Sequence, residues 1–128
     1  MTDNARAVLR TLCDAVPGAQ AAAVMRRNDG EVVHLFRADS KLSDPRYRSA
    51  LACAGMQFEQ LARAHRALEC EQPESLDAQL RDSALHMRVV GASHLAVVLR
   101  ADARCEDGLA ERPLETSAAA LKSTLRRS

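Results

Sequence analysis

Aromatic side chains are almost missing from this sequence: two phenylalanines, one tyrosine and no tryptophan in 128 residues. A core must therefore be built from Ala, Leu and Val. There is also almost no ring surface on which the bases of a nucleic acid could stack. Excess charge is lacking as well. Lys plus Arg number 18 against 17 Asp plus Glu, a net charge of +1, which gives no electrostatic footprint for a phosphate backbone. No apolar run approaches transmembrane length, and the opening MTDNARAVLRTLCDAV carries Asp3 and no continuous apolar block of the kind a signal peptide needs. The expected setting is the cytoplasm, without membrane insertion and without nucleic acid.

The four cysteines, Cys13, Cys53, Cys70 and Cys105, form no CxxC pair and permit three disulfide connectivities. Without a secretory signal they are expected to be reduced. Cys13 and Cys53 sit among apolar helix positions and read as small core residues. Cys70 and Cys105 lie near element ends and read as exposed. Motifs of catalysis are absent too: there is no GxxxxGK[ST], GxGxxG or GxSxG. His34, His65, His86 and His94 show neither HxxxH nor HExxH spacing, although His86 and His94 could approach one another on neighbouring strands. Asp102, Glu106 and Asp107 lack the ligand spacing of a calcium loop and read as a solvated connection. Arg26 and Arg27 read as the solvated end of a strand. No enzyme, metal or cofactor is expected.

What the sequence does have is one long helical stretch, Pro45 to Glu69. Tyr47, Leu51, Ala54, Phe58, Leu61, His65 and Leu68 recur at steps of three and four, which places them on one helical face. Ala50, Cys53, Ala64 and Ala67 widen the apolar arc to one side, while Arg48, Glu59, Arg63 and Arg66 cluster opposite. The arc spans roughly 200°, about twice the ~100° stripe of a helix with one buried side. Such a helix needs two partners: a sheet under its bulky stripe, and a second backbone close to its small residues. That second partner is either another part of this chain or another copy.

With 47% hydrophobic and 27% charged residues, 128 residues read as one folded α/β (α+β) domain spanning 1–128. Thr2 or Asp3 can cap a first helix bearing Val8, Leu9, Leu12, Cys13 and Val16 on one face, stopped by Pro17-Gly18. Ala21 to Met25 is a short continuous apolar run, a strand buried on both faces. Asn28-Asp29-Gly30 is a hairpin turn and residues 31–37 the return strand. After the long helix, Ser75 to Arg81 alternates as a half-wet edge strand. Leu85, Met87 and Val89 mark a fourth strand, and Leu95 to Leu99 a central fifth. A last helix starts near Leu109 or Pro113 and buries Leu114, Ala118, Leu121 and Leu125; Lys122, Arg126 and Arg127 suit its C-terminus. Placing the most apolar strands centrally gives an antiparallel sheet in the order 2-1-5-4-3. The long helix lies on one face and the terminal helices on the other.

This α-β-β-α-β-β-β-α order resembles the roadblock family, which includes dynein light chains of the roadblock class and bacterial regulators of Ras-like GTPases. The residues that carry the resemblance are Val16-Pro17-Gly18 before the first strand, Arg27-Asn28-Asp29-Gly30 in the hairpin, and the small-residue helix segment Ser49-Ala50-Leu51-Ala52-Cys53-Ala54-Gly55. The resemblance implies a non-enzymatic dimer in which third strands join into one sheet and long helices lie side by side. It also implies a role in binding or regulating a Ras-like small GTPase or in scaffolding a complex. The expected dimer interface is Ala50, Cys53, Gln57, Gln60, Ala64, Ala67, Leu76, Ala78 and Leu80. Arg48, Glu59, Arg63 and Arg66 form the expected partner-binding face. Gln57, Gln60 and His65 make this helix seam more polar than the family pattern. A small-molecule sensing domain of related architecture is the alternative.

Overall fold

The computed structural model describes residues 2–91, 93–102 and 107–126. The elements run α1 (Thr2–Ala15), β1 (Ala19–Arg26), β2 (Val32–Arg37), α2 (Asp44–Ala67), β3 (Ser75–Gln79), β4 (Ser83–Val89), β5 (Leu95–Asp102) and α3 (Asp107–Arg126). The five strands form one antiparallel sheet in the order β2-β1-β5-β4-β3, as the distribution of apolar residues predicts. Residues 21–25 of β1 are 0% exposed, because helices close over both faces of the strand.

Each helix packs for a reason visible in its residues. Leu9 and Leu12 of α1, Val16 just past its end, and Leu114 and Leu121 of α3 converge on Val24, Val97 and Leu99 of the sheet. On the other face, Leu51 and Phe58 of α2 cover Ala23, Met25, Met87 and Val98. Each such Leu or Phe contributes roughly 2 kcal/mol by leaving water. The turn between β1 and β2 closes through Gly30 at φ +73°, with the Asp29 carboxylate accepting from the Glu31 N–H at 2.9 Å. Ser43 caps α2 through its hydroxyl, which accepts from the Arg46 N–H at 3.4 Å, and Pro45 occupies the first turn where its missing N–H costs nothing.

The seat of α2 is set by a close approach. A Cβ on Gly55 would stand 2.3 Å from Met25 Sδ and 3.3 Å from Gly30 Cα. A Cβ on Gly30 would stand 3.0 Å from the Ala52 carbonyl oxygen. Two glycines thus let the helix lie directly on the β1–β2 hairpin. The helix is drawn toward that side of the sheet and away from β3.

Several expectations need correction. The buried set of α2 is Tyr47, Leu51, Ala54, Gly55, Phe58 and Ala62, so the inward face turns toward Gly55 and Ala62. Leu61 and His65 are only half-buried and Leu68 is 74% exposed. On a wheel of 100° per residue, Leu61 and Leu68 fall roughly 70–90° from the mean buried direction, on the β3 side. Cys53 is exposed rather than part of the core, for the same reason, whereas Cys13 is buried. His86 and His94 do not approach. His86 lies opposite Leu99, and His94 precedes β5 five residues earlier, about 17 Å away at ~3.4 Å per residue. The strand predicted through Arg81 stops at Gln79, leaving Leu80 in the connection to β4, and α3 starts at Asp107, with Pro113 inside it. The side chains of Thr2, Asp3, Asp107 and Arg126, together with Cys105, Glu106 and Arg127, lie outside the described residues.

Candidate functional site

Because α2 lies over β1 and β2, the same sheet face is open above β4 and β3. Leu76 and Ala78 of β3 and Leu85 and Met87 of β4 form an apolar floor there. Ala50, Cys53, Ala54, Gln57 and Leu61 of α2 form the wall of a groove of about 710 Å³, and Leu80 and Arg100 complete the lining. The groove gathers six of the nine residues expected at a dimer interface: Ala50, Cys53, Gln57, Leu76, Ala78 and Leu80. The other three, Gln60, Ala64 and Ala67, are exposed on α2 but outside the lining. Beyond the groove, β3 is the outer strand of the sheet, and its five residues contain neither Pro nor Lys to discourage pairing.

The charged residues of α2 fall into two places. Glu59 is 15% exposed at its side chain and holds both Arg66 at 3.1 Å and Arg63 at 3.6 Å, making one cluster on the side away from the groove. Arg48 is separate. It bonds Asp44 at 3.0 Å and donates to the Val32 carbonyl at 3.2 Å, which ties the helix start to β2. The four residues therefore do not share one patch.

Ala54, Leu61, Leu85, Met87 and above all Arg100 line the groove outside the set expected from the sequence. The signal for Arg100 was present: Ala96, Val98 and Arg100 alternate along β5, so the arginine shares the face of two core residues. Its Nε donates to Gln20 Oε1 at 3.2 Å. Close by, the Tyr47 hydroxyl bonds the Asp39 carboxylate. Burial, then that hydrogen bond and the Asp39 charge, push the Tyr47 hydroxyl up to about 12, with Arg100 acting in the opposite sense. On the other face, burial pushes the Cys13 thiol up to about 12, aided by Asp14 and Asp39, which leaves it unreactive. His86, 0% exposed, meets the Asp77 carboxylate at 2.7 Å across the β3–β4 pair. Among the described residues no group of His, Cys, Asp and Glu could hold a metal ion, and no helix is long and apolar enough to cross a membrane. What this surface offers is shape, apolar area and one cation.

No protein-family model and no curated protein matches the chain. Solved structures do. An MglB in a tetrameric arrangement superposes with a TM-score of 0.84 at 18% identity, over 98% of this chain and 90% of that one. MglC from Myxococcus xanthus superposes at 0.69 with 22% identity, over 97% and 99%. A Roadblock/LC7 domain from Streptomyces avermitilis gives 0.70 with 12% identity, over 94% and 97%. Element order, strand order and near-complete coverage agree, and the fold of this chain is the roadblock fold.

Proposed function

We propose that this chain is a dimeric interaction module that binds or regulates a Ras-like small GTPase or scaffolds a protein complex. The groove beside α2 carries the reading. In the single chain Leu76 and Ala78 of β3 are only half-buried and Leu80 is exposed, next to a helix wall of small residues that admits another backbone at short range. A second copy satisfies both needs at once. A two-fold axis normal to the sheet pairs β3 with its symmetry mate and brings the second α2 against the first. Ala50, Cys53, Gln57, Gln60, Ala64, Ala67, Leu76, Ala78 and Leu80 are the proposed contacts. The fold shared with an MglB in a tetrameric arrangement supports self-association.

With the groove filled, the Arg63–Glu59–Arg66 cluster still points outward and is the proposed partner-binding surface. Arg48, about 22 Å along the helix from Arg63 at 1.5 Å per residue, contributes at its edge. If GTP hydrolysis is stimulated, the module acts by ordering the GTPase's own switch segments.

Light scattering at micromolar concentration is expected to return twice the chain mass; a monomer would refute the dimer. With the dimer intact, reversing Arg63 and Arg66 together to Glu is expected to weaken binding of a Ras-like GTPase from the native host. Unchanged affinity would move the partner site elsewhere.

A further inference from the structure

We infer that Arg100 determines the pairing specificity of this interface, bonding across it to Glu69 and Glu71 at the C-terminal exit of the second copy's α2. The inference rests on the dimer proposed above and names the charges that select the partner.

The first observation is an incompletely satisfied cation. Arg100 lines an otherwise largely apolar groove, is half-buried, and among the described residues makes its one side-chain hydrogen bond to the neutral Gln20 amide. No carboxylate lies within 4 Å of it among the described residues. A helix seated in the groove expels water from the guanidinium, and an ion buried without a partner is strongly unfavourable. The occupant must therefore bring a carboxylate to that end of the groove.

The second observation is where α2 of another copy would place one. A two-fold axis normal to the sheet reverses every direction in the plane, so the two α2 helices run antiparallel. The small-residue stripe runs from Ala50 to Ala67, and laid against its own reverse it sets Ala50 opposite Ala67. Arg100 lies toward the Ala50 end, close enough to Tyr47 in the first turns of α2 for its charge to act on that hydroxyl. The residues just past Ala67 of the second copy come to this end, and they read Leu68-Glu69-Cys70-Glu71. The carbonyl ends of that helix add further negative potential for a cation.

A third observation sets Glu69 apart. The Cys70 N–H bonds the His65 carbonyl at 2.8 Å and the Glu69 N–H bonds the Arg66 carbonyl at 3.1 Å, the two bonds of a Schellman ending. Glu69 sits at its left-handed position with φ +56°, the place where glycine is favoured, and it is the one non-glycine residue with positive φ among the described residues. A carboxylate stands there at the expense of helix stability. Neither Glu69 nor Glu71 has an ion pair in its own chain among the described residues. Arg66 is already held by Glu59 and His65 by the Glu71 carbonyl at 2.6 Å, while Arg27, Arg88 and Lys122, which share a surface pocket with Glu71, form no ion pair with it among the described residues.

Charge exchange tests the pairing. Arg100→Glu in one chain and Glu69→Arg with Glu71→Arg in another are each expected to weaken their own homodimer at least about tenfold, by sedimentation, because like charges then meet. Mixed, the two variants match at both ends of the axis, and native mass spectrometry is expected to show mainly heterodimer. Melting curves monitored by circular dichroism verify that each variant folds. Arg100→Gln keeps a donor for Gln20 while removing the charge, and is expected to weaken the dimer several-fold and flatten its salt dependence. A statistical mixture of dimers, or an Arg100→Gln dimer as tight and as salt-sensitive as wild type, would overturn this pairing while leaving the dimer standing. A monomeric wild type would overturn the dimer itself.

Discussion

Gly55 is where one absent methyl group decides the position of a whole helix. Its hydrogen faces Met25, 0% exposed in the core, and the backbone of Gly30. Gly55→Ala is expected to cost about 1–3 kcal/mol in urea unfolding, since neither the packed thioether nor the hairpin backbone can withdraw freely. Retention of wild-type stability would mean that α2 can slide, and that its seat is softer than the contact implies. Tyr47 gives a second reading at this scale. Its hydroxyl titrates at 10.0 in an unperturbed chain and is pushed up to about 12 in the fold. The folded state therefore keeps a proton that the unfolded state has released, and stability falls as pH rises from about 10 to about 12. Below that window the contribution is complete. Tyr47→Phe is expected to remove this segment of the pH–stability curve, which denaturation at a series of alkaline pH values checks.

At the scale of elements, much was legible in the sequence. Pro17-Gly18, Asn28-Asp29-Gly30 and Asp44-Pro45 mark their boundaries because each restricts backbone torsions locally, and Ala21–Met25 reads as doubly covered because nothing in it tolerates water. The inward face of α2 was less legible. Tyr47 through Phe58 follow the stripe, but Leu61 and Leu68 leave it, since the direction of burial was fixed by the Gly55–Gly30 contact and not by the apolar pattern; His65 keeps the buried heading but is only half-buried near the helix end. For the same reason Cys53 reads as core in the sequence and faces the groove in the fold. The end of α2 yields a prediction of its own. Glu69→Gly relieves the left-handed backbone and is expected to raise the stability of dilute, monomeric protein by about 1 kcal/mol. The same change removes a proposed interface carboxylate, so the dimer dissociation constant is expected to rise. Stability and affinity moving together would contradict the role given to this residue.

The whole molecule is a sheet with unequal coverage: two helices close over one face and a single off-centre helix over the other. The groove follows from that asymmetry, which is why its α2 wall and β3 floor were legible from the small-residue stripe and the half-wet strand, whereas Arg100 was not. The fifth strand reads as ending at Leu99, one residue short of the arginine, whereas in the fold it runs on to Asp102. Thiol labelling offers a check on the proposed dimer. Cys53 and Cys70 are both exposed in the single chain, and Cys13 is buried. As protein concentration rises, Cys53 and Cys70, both set at the proposed interface, are expected to become protected, while Cys13 stays slow. Equal labelling of Cys53 across concentrations would place the interface elsewhere.

The strand order also sets a schedule. β1 pairs on one side with β2, its neighbour in the chain, and on the other with β5, where Ala22 lies opposite Leu99. During synthesis the first hairpin and α2 are complete while the other edge of β1, a wholly apolar strand at its centre, waits for β5, which begins only at Leu95. Closing that long loop is the slow step that a non-local pairing imposes. Until it closes, a nascent or truncated chain presents an unpaired apolar edge, the feature most prone to join the wrong neighbour.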